Sequence, residues 1–390
     1  MTLPIALDPA TAPAPAYGSA ALSDLLPAAL RGLGVPEAEL PPTGLLLPPA
    51  DRVCVFLVDG LGWELLRAHP AEAPFLNSLL PSSLAGSGQP LTAGFPATTA
   101  TSLASVGTGL PPGRHGLAGY TVRIPGERRL MNQLRWQPHV SPRTWQPYPP
   151  LFRAADSAGV ATYQVSSPKF EYTPLTEVAL SGGEFLGRLP GEERMDLAAE
   201  RLASADRSLV YTYYSELDGM GHRYGVDSDA WRGQLMMVDR LAQRLADQLP
   251  PRSVLYVTAD HGMIDIAPAD RVDFDEDPEL RAGVLLLGGE GRARHVYAVD
   301  GAAADVLQVW SELLGDRMWI ASRDGAIEAG WFGPDVDERV YRRVGDVVAA
   351  ARDDMAVIAS RREPGESAMV GLHGSMTPVE QLVPLLEVRR

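Results

Sequence analysis

Val53-Cys-Val-Phe-Leu-Val58 runs straight into Asp59, and the arrangement recurs where residues 209–214 lead to Asp218 and residues 254–258 lead to Asp260. Short runs rich in β-branched and aromatic residues predict buried parallel strands. In open α/β sheets ligands bind beyond the carboxyl ends of the strands, so three aspartates far apart in sequence are expected to converge there. Between these runs the pattern predicts a strand over 160–166 and helices near 62–69, 74–80, 99–106, 149–157, 192–205 and 229–248. The last is the clearest, with Trp231, Leu235, Val238, Leu241 and Leu245 at three- and four-residue steps. Alternation of this kind predicts an α/β fold, a mainly parallel central sheet with helices on both faces.

Residues 1–50 are rich in Ala, Pro and Leu, with a helix expected near 20–33, and read as an N-terminal arm packed on the core. A catalytic domain is expected over 51–390. Between Asp260-His261 and His373 the chain is long enough for a cap inserted over 266–354. It holds acidic loops around 273–279, a strand-like Val284-Leu-Leu-Leu287 and a helix near 302–314, with a return to the core through Met355-Ala-Val-Ile358.

The 45% hydrophobic content suffices for a packed core. No uninterrupted apolar run reaches the roughly eighteen residues of a membrane span, and the first residues lack a basic region followed by an apolar stretch. Cys54 is the only cysteine and falls in a predicted strand, which rules out a disulfide within the chain, makes sulfur ligation of a metal unexpected and fits a reducing cytoplasm. A formal net charge of -15 argues against non-specific nucleic-acid binding, which needs a basic stripe to displace counterions. A small phosphate ester or nucleotide is the expected partner, because bound cations make a pocket locally positive whatever the outer charge.

Asp218-Gly-Met-Gly-His222, Asp260-His261-Gly262 and His373-Gly374-Ser375, with Asp59, offer six oxygen or imidazole ligands for two divalent metals. Taken singly each fragment is weak, since Asp-Gly is an ordinary turn signal; their placement after strands is the argument. Carboxylates mixed with imidazoles suit Zn2+, with Mn2+ or iron behind it. Phe95-Pro-Ala-Thr98-Thr99-Ala-Thr101 supplies a nucleophile. Residue chemistry leaves Thr98, Thr99 and Thr101 open, because threonine is also a common helix cap.

Phe95-Pro-x-x-Thr99, Thr108-Gly-Leu-x-Pro, His115-Gly116, Asp218-x-x-Gly-His222, Asp260-His-Gly-Met263 and His373-Gly-Ser375 together resemble the alkaline phosphatase superfamily. The nearest branch is the nucleotide pyrophosphatase/phosphodiesterases, and the resemblance covers about 53–375 in the same order. It implies one metal on Asp218, His222 and His373, and another on Asp59, Asp260 and His261 with the oxygen of Thr99. It also selects Thr99 as a nucleophile activated by metal coordination, passing through a phospho-threonine intermediate. Sulfatase activity is not expected, since no Cys/Ser-x-Pro-x-Arg motif occurs.

Some positions depart from the pattern. Where the branch carries an asparagine after His-Gly, this chain has Tyr120, and the aromatic often found after the nucleophile is Ala100. Tyr120 and Tyr213 are the substrate-binding candidates. Lys169, the sole lysine, and Arg123 are weaker ones for a distal anionic group. His115 is expected to support its loop, and His69, His139 and His295 to lie at the surface. The expected function is a two-metal phosphodiesterase or nucleotide pyrophosphatase. Phosphomonoester or phosphonate hydrolysis, a mutase of the same superfamily and a non-catalytic metal-binding protein are the alternatives.

Overall fold

The computed structural model describes residues 9–80 and 89–390, so the first eight residues of the N-terminal arm lie outside it. Strands β1 (Arg52–Val58), β2 (Ala161–Ser166), β3 (Glu184–Gly187), β4 (Ser208–Tyr214) and β5 (Ser253–Ala259) lie in the order β5-β1-β4-β2-β3, all parallel. Val58 is flanked in register by Tyr214 and Ala259. The three central strands therefore end level and deliver Asp59, Asp218 and Asp260 to one edge. Every residue of β4 and β5 is buried, so both faces of the sheet are covered.

Helix α1 (Leu22–Gly32) buries Leu22, Leu25, Leu26 and Leu30 in the main core and packs on α2 (Thr99–Thr108). From α3 (Leu151–Ser157), Phe152 meets Tyr211 of β4 edge-on with ring centroids 5.9 Å apart. Then follow α4 (Pro174–Ala179), α5 (Gly191–Leu202), α6 (Glu216–Tyr224) and α7 (Asp229–Asp247). In α7 the Ser228 hydroxyl caps the helix by accepting from the Trp231 amide at 3.2 Å, and the five apolar residues read from the sequence form its buried face. Truncating Leu235 to alanine there would destabilise the fold by about 2–5 kcal/mol.

The long insertion forms a second, antiparallel sheet. Strands β6 (Val284–Glu290), β7 (Ala293–Ala298), β8 (Met318–Ser322) and β9 (Val347–Ala351) take the order β6-β7-β9-β8. Helix α8 (Ala303–Leu314) adds Val306 and Trp310 to a core separate from the first. Ala356–Ile358 does not rejoin the first core as expected. It pairs with Arg271–Asp273, and Val357 packs in the second core.

The chain returns to the first sheet with β10 (Leu385–Arg389), antiparallel to β5, so the central sheet is mixed rather than wholly parallel. The alternation of β10, with Leu386 buried and Glu387 exposed, marks a one-sided edge strand.

His295 corrects an expectation. It lies fully buried in β7, whose six residues are all covered, and not at the surface. Its Nε2–H donates to the Ala118 carbonyl at 2.8 Å and its Nδ1 accepts from the Gly345 amide at 3.1 Å. His69 is also largely covered, packed edge-on against Trp231, while His139 is exposed beside Glu127. Among the described residues no helix is long and apolar enough to cross a membrane.

Candidate active site

The turn after β1 places Asp59, and the turn after β5 places Asp260 and His261 beside it. Ligand atoms of the three lie within 4.8 Å of one another. His261 Nε2 is 3.4 Å from Asp59 Oδ1 and 3.6 Å from Asp260 Oδ2. In α6, Asp218 and His222 are one turn apart on the same face, with Nε2 3.4 Å from Oδ2. His373, following Gly371–Leu372, completes this second group with Nε2 4.0 Å from Asp218 Oδ1. The His261 and His373 rings stack at 3.6 Å between centroids, so the two groups adjoin.

Each imidazole is oriented the same way. Nδ1–H donates to a backbone carbonyl: Gly371 for His222 at 2.8 Å, Gly262 for His261 at 2.9 Å and Ala97 for His373 at 2.9 Å. That fixes the tautomer and leaves every Nε2 lone pair aimed inward, the arrangement of a metal-ligating histidine. Asp59 Oδ1, Asp218 Oδ1 and Asp260 Oδ2 are buried without a hydrogen-bond partner. Burial, then the charges of Asp218 and Asp260, push the Asp59 carboxyl well above the usual range. Burial, then His261 and His222, hold His373 well below the usual imidazole value. Neutral imidazoles and crowded carboxylates with unpaired oxygens fit two divalent cations of the zinc type, whose charge would relieve the repulsion.

The threonines separate clearly. Thr101 is buried and donates to the Leu117 carbonyl at 2.8 Å. Thr98 occupies the cap position of α2 without capping it; its hydroxyl donates to Glu290 Oε2 at 3.2 Å. Thr99, the first residue of the helix, turns its hydroxyl to the ligand groups, 3.4 Å from His261 Nε2. His115 is buried, bridging Ser105 Oγ and the Leu117 amide away from the ligand groups.

A cavity of about 430 Å³ opens over these groups and is lined by Asp59, Thr98, Thr99, Tyr120, Tyr213, Lys169 and the second metal-ligand group, among others. Tyr120 donates to Glu366 Oε1 at 3.1 Å. Tyr213 meets Phe170 edge-on at 5.4 Å, and its hydroxyl donates to Asp59 Oδ2, so it orients that carboxylate as well as forming a wall. Lys169 sits at the exposed rim over the Phe170 ring, whereas Arg123 is tied to the Glu127 carbonyl and is not among the lining residues.

Sequence reasoning missed Glu290. It ends β6, lies 3.6 Å from His373 Nδ1 and leaves Oε1 without a partner. Its carboxylate lies over Gly374 (φ 129°), where a Cβ would meet Glu290 atoms at 2.9–3.1 Å. The signal was present, because a carboxylate closing an apolar strand is the pattern that located Asp59.

The chain matches the family model for type I phosphodiesterase / nucleotide pyrophosphatase over residues 53–376. It is similar to ectonucleotide pyrophosphatase/phosphodiesterase family member 3 of Mus musculus, 28% identical over 258 residues, 62% of this chain and 28% of that protein. Family member 7 of Homo sapiens is 33% identical over 111 residues, 24% of each chain. The chain thus matches less than a third of the length of these relatives. In fold it is similar to murine ectonucleotide pyrophosphatase/phosphodiesterase 5, solved as an inactive threonine-to-alanine form in complex with AMP. The TM-score is 0.66 at 19% identity, over 86% of this chain and 87% of that one. The human form gives 0.64 at 17% identity.

Proposed function

Because the chain belongs to the type I phosphodiesterase / nucleotide pyrophosphatase family, we propose that it hydrolyses a phosphodiester or nucleotide pyrophosphate bond through a phospho-threonine at Thr99. The observation that carries this reading is the convergence of two three-residue ligand groups with the Thr99 hydroxyl, 3.4 Å from His261 Nε2, at the floor of one cavity. Asp59, Asp260, His261 and Thr99 would hold one divalent cation, and Asp218, His222 and His373 the other, with zinc ahead of manganese for this donor set. When bound, the cations supply the positive charge that stabilises a threonine alkoxide and the phosphoryl oxygens.

In the first step the Thr99 Oγ1–phosphorus bond forms and the bond to the departing oxygen breaks; the proton given up by the Thr99 hydroxyl is balanced by the one taken by the departing oxygen, which is released as an alcohol or a phosphate. In the second, water oxygen bonds to phosphorus and the Thr99 oxygen leaves and regains its proton. Tyr213 keeps Asp59 oriented through its hydroxyl. The first amides of α2, which helix geometry leaves without intrahelical partners, would favour a phosphate held at Thr99. Glu290 holds the Thr98 hydroxyl away from Thr99. The second sheet acts as a cap, contributing Glu290, Gly291 and Arg294 to the cavity wall.

The AMP complex of the murine relative favours a nucleotide as substrate. Hydrolysis of bis-p-nitrophenyl phosphate against p-nitrophenyl phosphate by the zinc-loaded protein tests the reading, with Thr99→Ala as control. Diester preference abolished by the substitution is expected. Monoester preference would make the protein a phosphatase, and absence of turnover with both metals bound would leave a phosphonate hydrolase, a mutase or a metal-binding protein.

A further inference from the structure

Helix α6 carries Asp218 and His222, yet little in it is built to stand alone. Its nine residues include Gly219 and Gly221, and Ser215 stands at its cap position without a side-chain hydrogen bond to the helix. A helix this short and this rich in glycine is marginal in water, so its place is set from outside. At its C-terminal end the His222 carbonyl accepts from the Val370 amide at 2.8 Å, and the His222 ring donates to Gly371. At its N-terminal end stands Arg194 of α5, only 2% exposed. Arg194 Nη1 donates to the Tyr213 carbonyl at 2.8 Å and Nη2 to Glu216 Oε1 at 3.0 Å, and the guanidinium lies 5.2 Å from the centre of the Tyr214 ring. Glu216 Oε2 in turn accepts from the Ser215 amide at 2.9 Å. One side chain thus grips the whole turn from β4 into α6, two residues before Asp218. Its Nε has no partner. A buried guanidinium with an open N–H is costly to hold, and an apolar side chain would fill the space without that cost. What it could not supply is the fork that ties strand to helix.

We propose that Arg194 is the positioning residue of the second ligand group: it fixes the first turn of α6 so that Asp218 meets His222 and His373. The proposal rests on the reading that these three residues hold a cation, and it names the side chain that sets their geometry. Asp218 Oδ1 has no partner within the chain, and a Cβ on the following Gly219 would meet nothing within 4 Å, so the helix backbone decides where the carboxylate points. The first group is held differently. Asp260 Oδ1 accepts from the Gly60 amide at 3.1 Å and from the His261 amide at 3.0 Å, and Asp59 accepts from the Tyr213 hydroxyl. Tyr213 itself lies in a strand locked in register on β1 opposite Leu57, a support that α6 lacks. Loss of Arg194 therefore loosens the second group and spares the first. Partners that orient metal ligands without touching the metal typically set affinity by about 10–100-fold.

Zinc titration of the full chain against a chromophoric chelator tests this without recourse to turnover. The unsubstituted protein should take up zinc in two steps, and the step missing from Asp218→Asn identifies the second group. In Arg194→Met that step should weaken about tenfold or more, while the other stays within about twofold. Arg194→Lys keeps a donor but loses the fork, and should fall between. Glu216→Gln, on a partly exposed residue, removes the charged acceptor without emptying the core. It should weaken the same step, and it reads the proposal even where Arg194→Met fails to fold. In the Asp218→Asn background Arg194→Met should change zinc uptake no further. Equal weakening of both steps, or a second step unchanged in the Arg194 and Glu216 variants alike, would overturn the proposal and leave Arg194 a purely structural residue. Fewer than two steps in the unsubstituted protein, or none lost in Asp218→Asn, would overturn the metal reading itself and this inference with it.

Discussion

Two clusters of buried charge meet on the segment from His373 to Gln381, and they are completed in opposite ways. Glu380 accepts from Arg292 Nε at 3.1 Å, from the Ser375 amide at 3.0 Å and from the Thr377 hydroxyl, and Arg292 donates further to the Asp353 and Met355 carbonyls. Every oxygen of that carboxylate has a partner within the chain. A few residues away, Asp59, Asp218 and Asp260 each leave an oxygen unpaired although they are more crowded by like charge. Where charge only holds the two sheets together, this protein satisfies it internally. Where it does not, the missing partner is one the chain does not encode.

The contrast breaks if the two clusters respond alike to substitution. The largest expected effect is on turnover: Thr99→Ala or Asp260→Asn should lower diester hydrolysis by about a thousandfold or more. Asp260→Asn should also reduce the zinc content measured after gel filtration, and Glu380→Ala should not remove the metal from the protein that remains folded. Glu380→Ala should instead destabilise the protein by about 3–5 kcal/mol in urea unfolding, since it strands a buried guanidinium.

Outside both clusters, burial lowers His115 to about 3 and His295 to about 4. The unfolded chain takes up these protons near pH 6.5 while the folded one does not, so stability should decline by a few kcal/mol as pH falls from about 6.5 towards 4. His295→Gln should flatten that decline in a pH series of urea midpoints. The smallest effect sharpens the contrast most. In chelator-treated protein Asp59→Asn should stabilise the fold, on the order of 1 kcal/mol, by removing one of three crowded carboxylates. Destabilisation there would place Asp59 with Glu380 as a structural group.

Much of the candidate site was legible because its residues obey local rules. Asp59 and Asp260 follow apolar strands, Asp218 and His222 share a helix face, and each signal lies within a few residues. Thr99 needed the resemblance, since nothing local separates it from Thr98; the structure separates them through Glu290, 192 positions away. Arg194 was invisible for a related reason. It reads as an ordinary charged helix residue, and only the packing of α5 on β4 brings it to the turn before Asp218. His295 was misplaced because its cover comes from the 118 loop and the turn at Gly345, contacts that strand periodicity does not encode. The antiparallel β10 escaped because it is a one-sided edge strand, Leu386 buried beside exposed Glu387, and offers no continuous apolar run.

That closing strand has a consequence for how the protein is made. A chain leaving the ribosome has all its candidate metal-binding residues once His373 has emerged, yet β5, which leads into two of them, still shows an open edge until Leu385–Arg389 follows. Unpaired edges of buried apolar strands invite pairing with other chains. A chain stalled or cut between 374 and 384 would thus carry all six candidate metal-binding residues and still present that open edge, which Leu385–Arg389 covers in the folded protein.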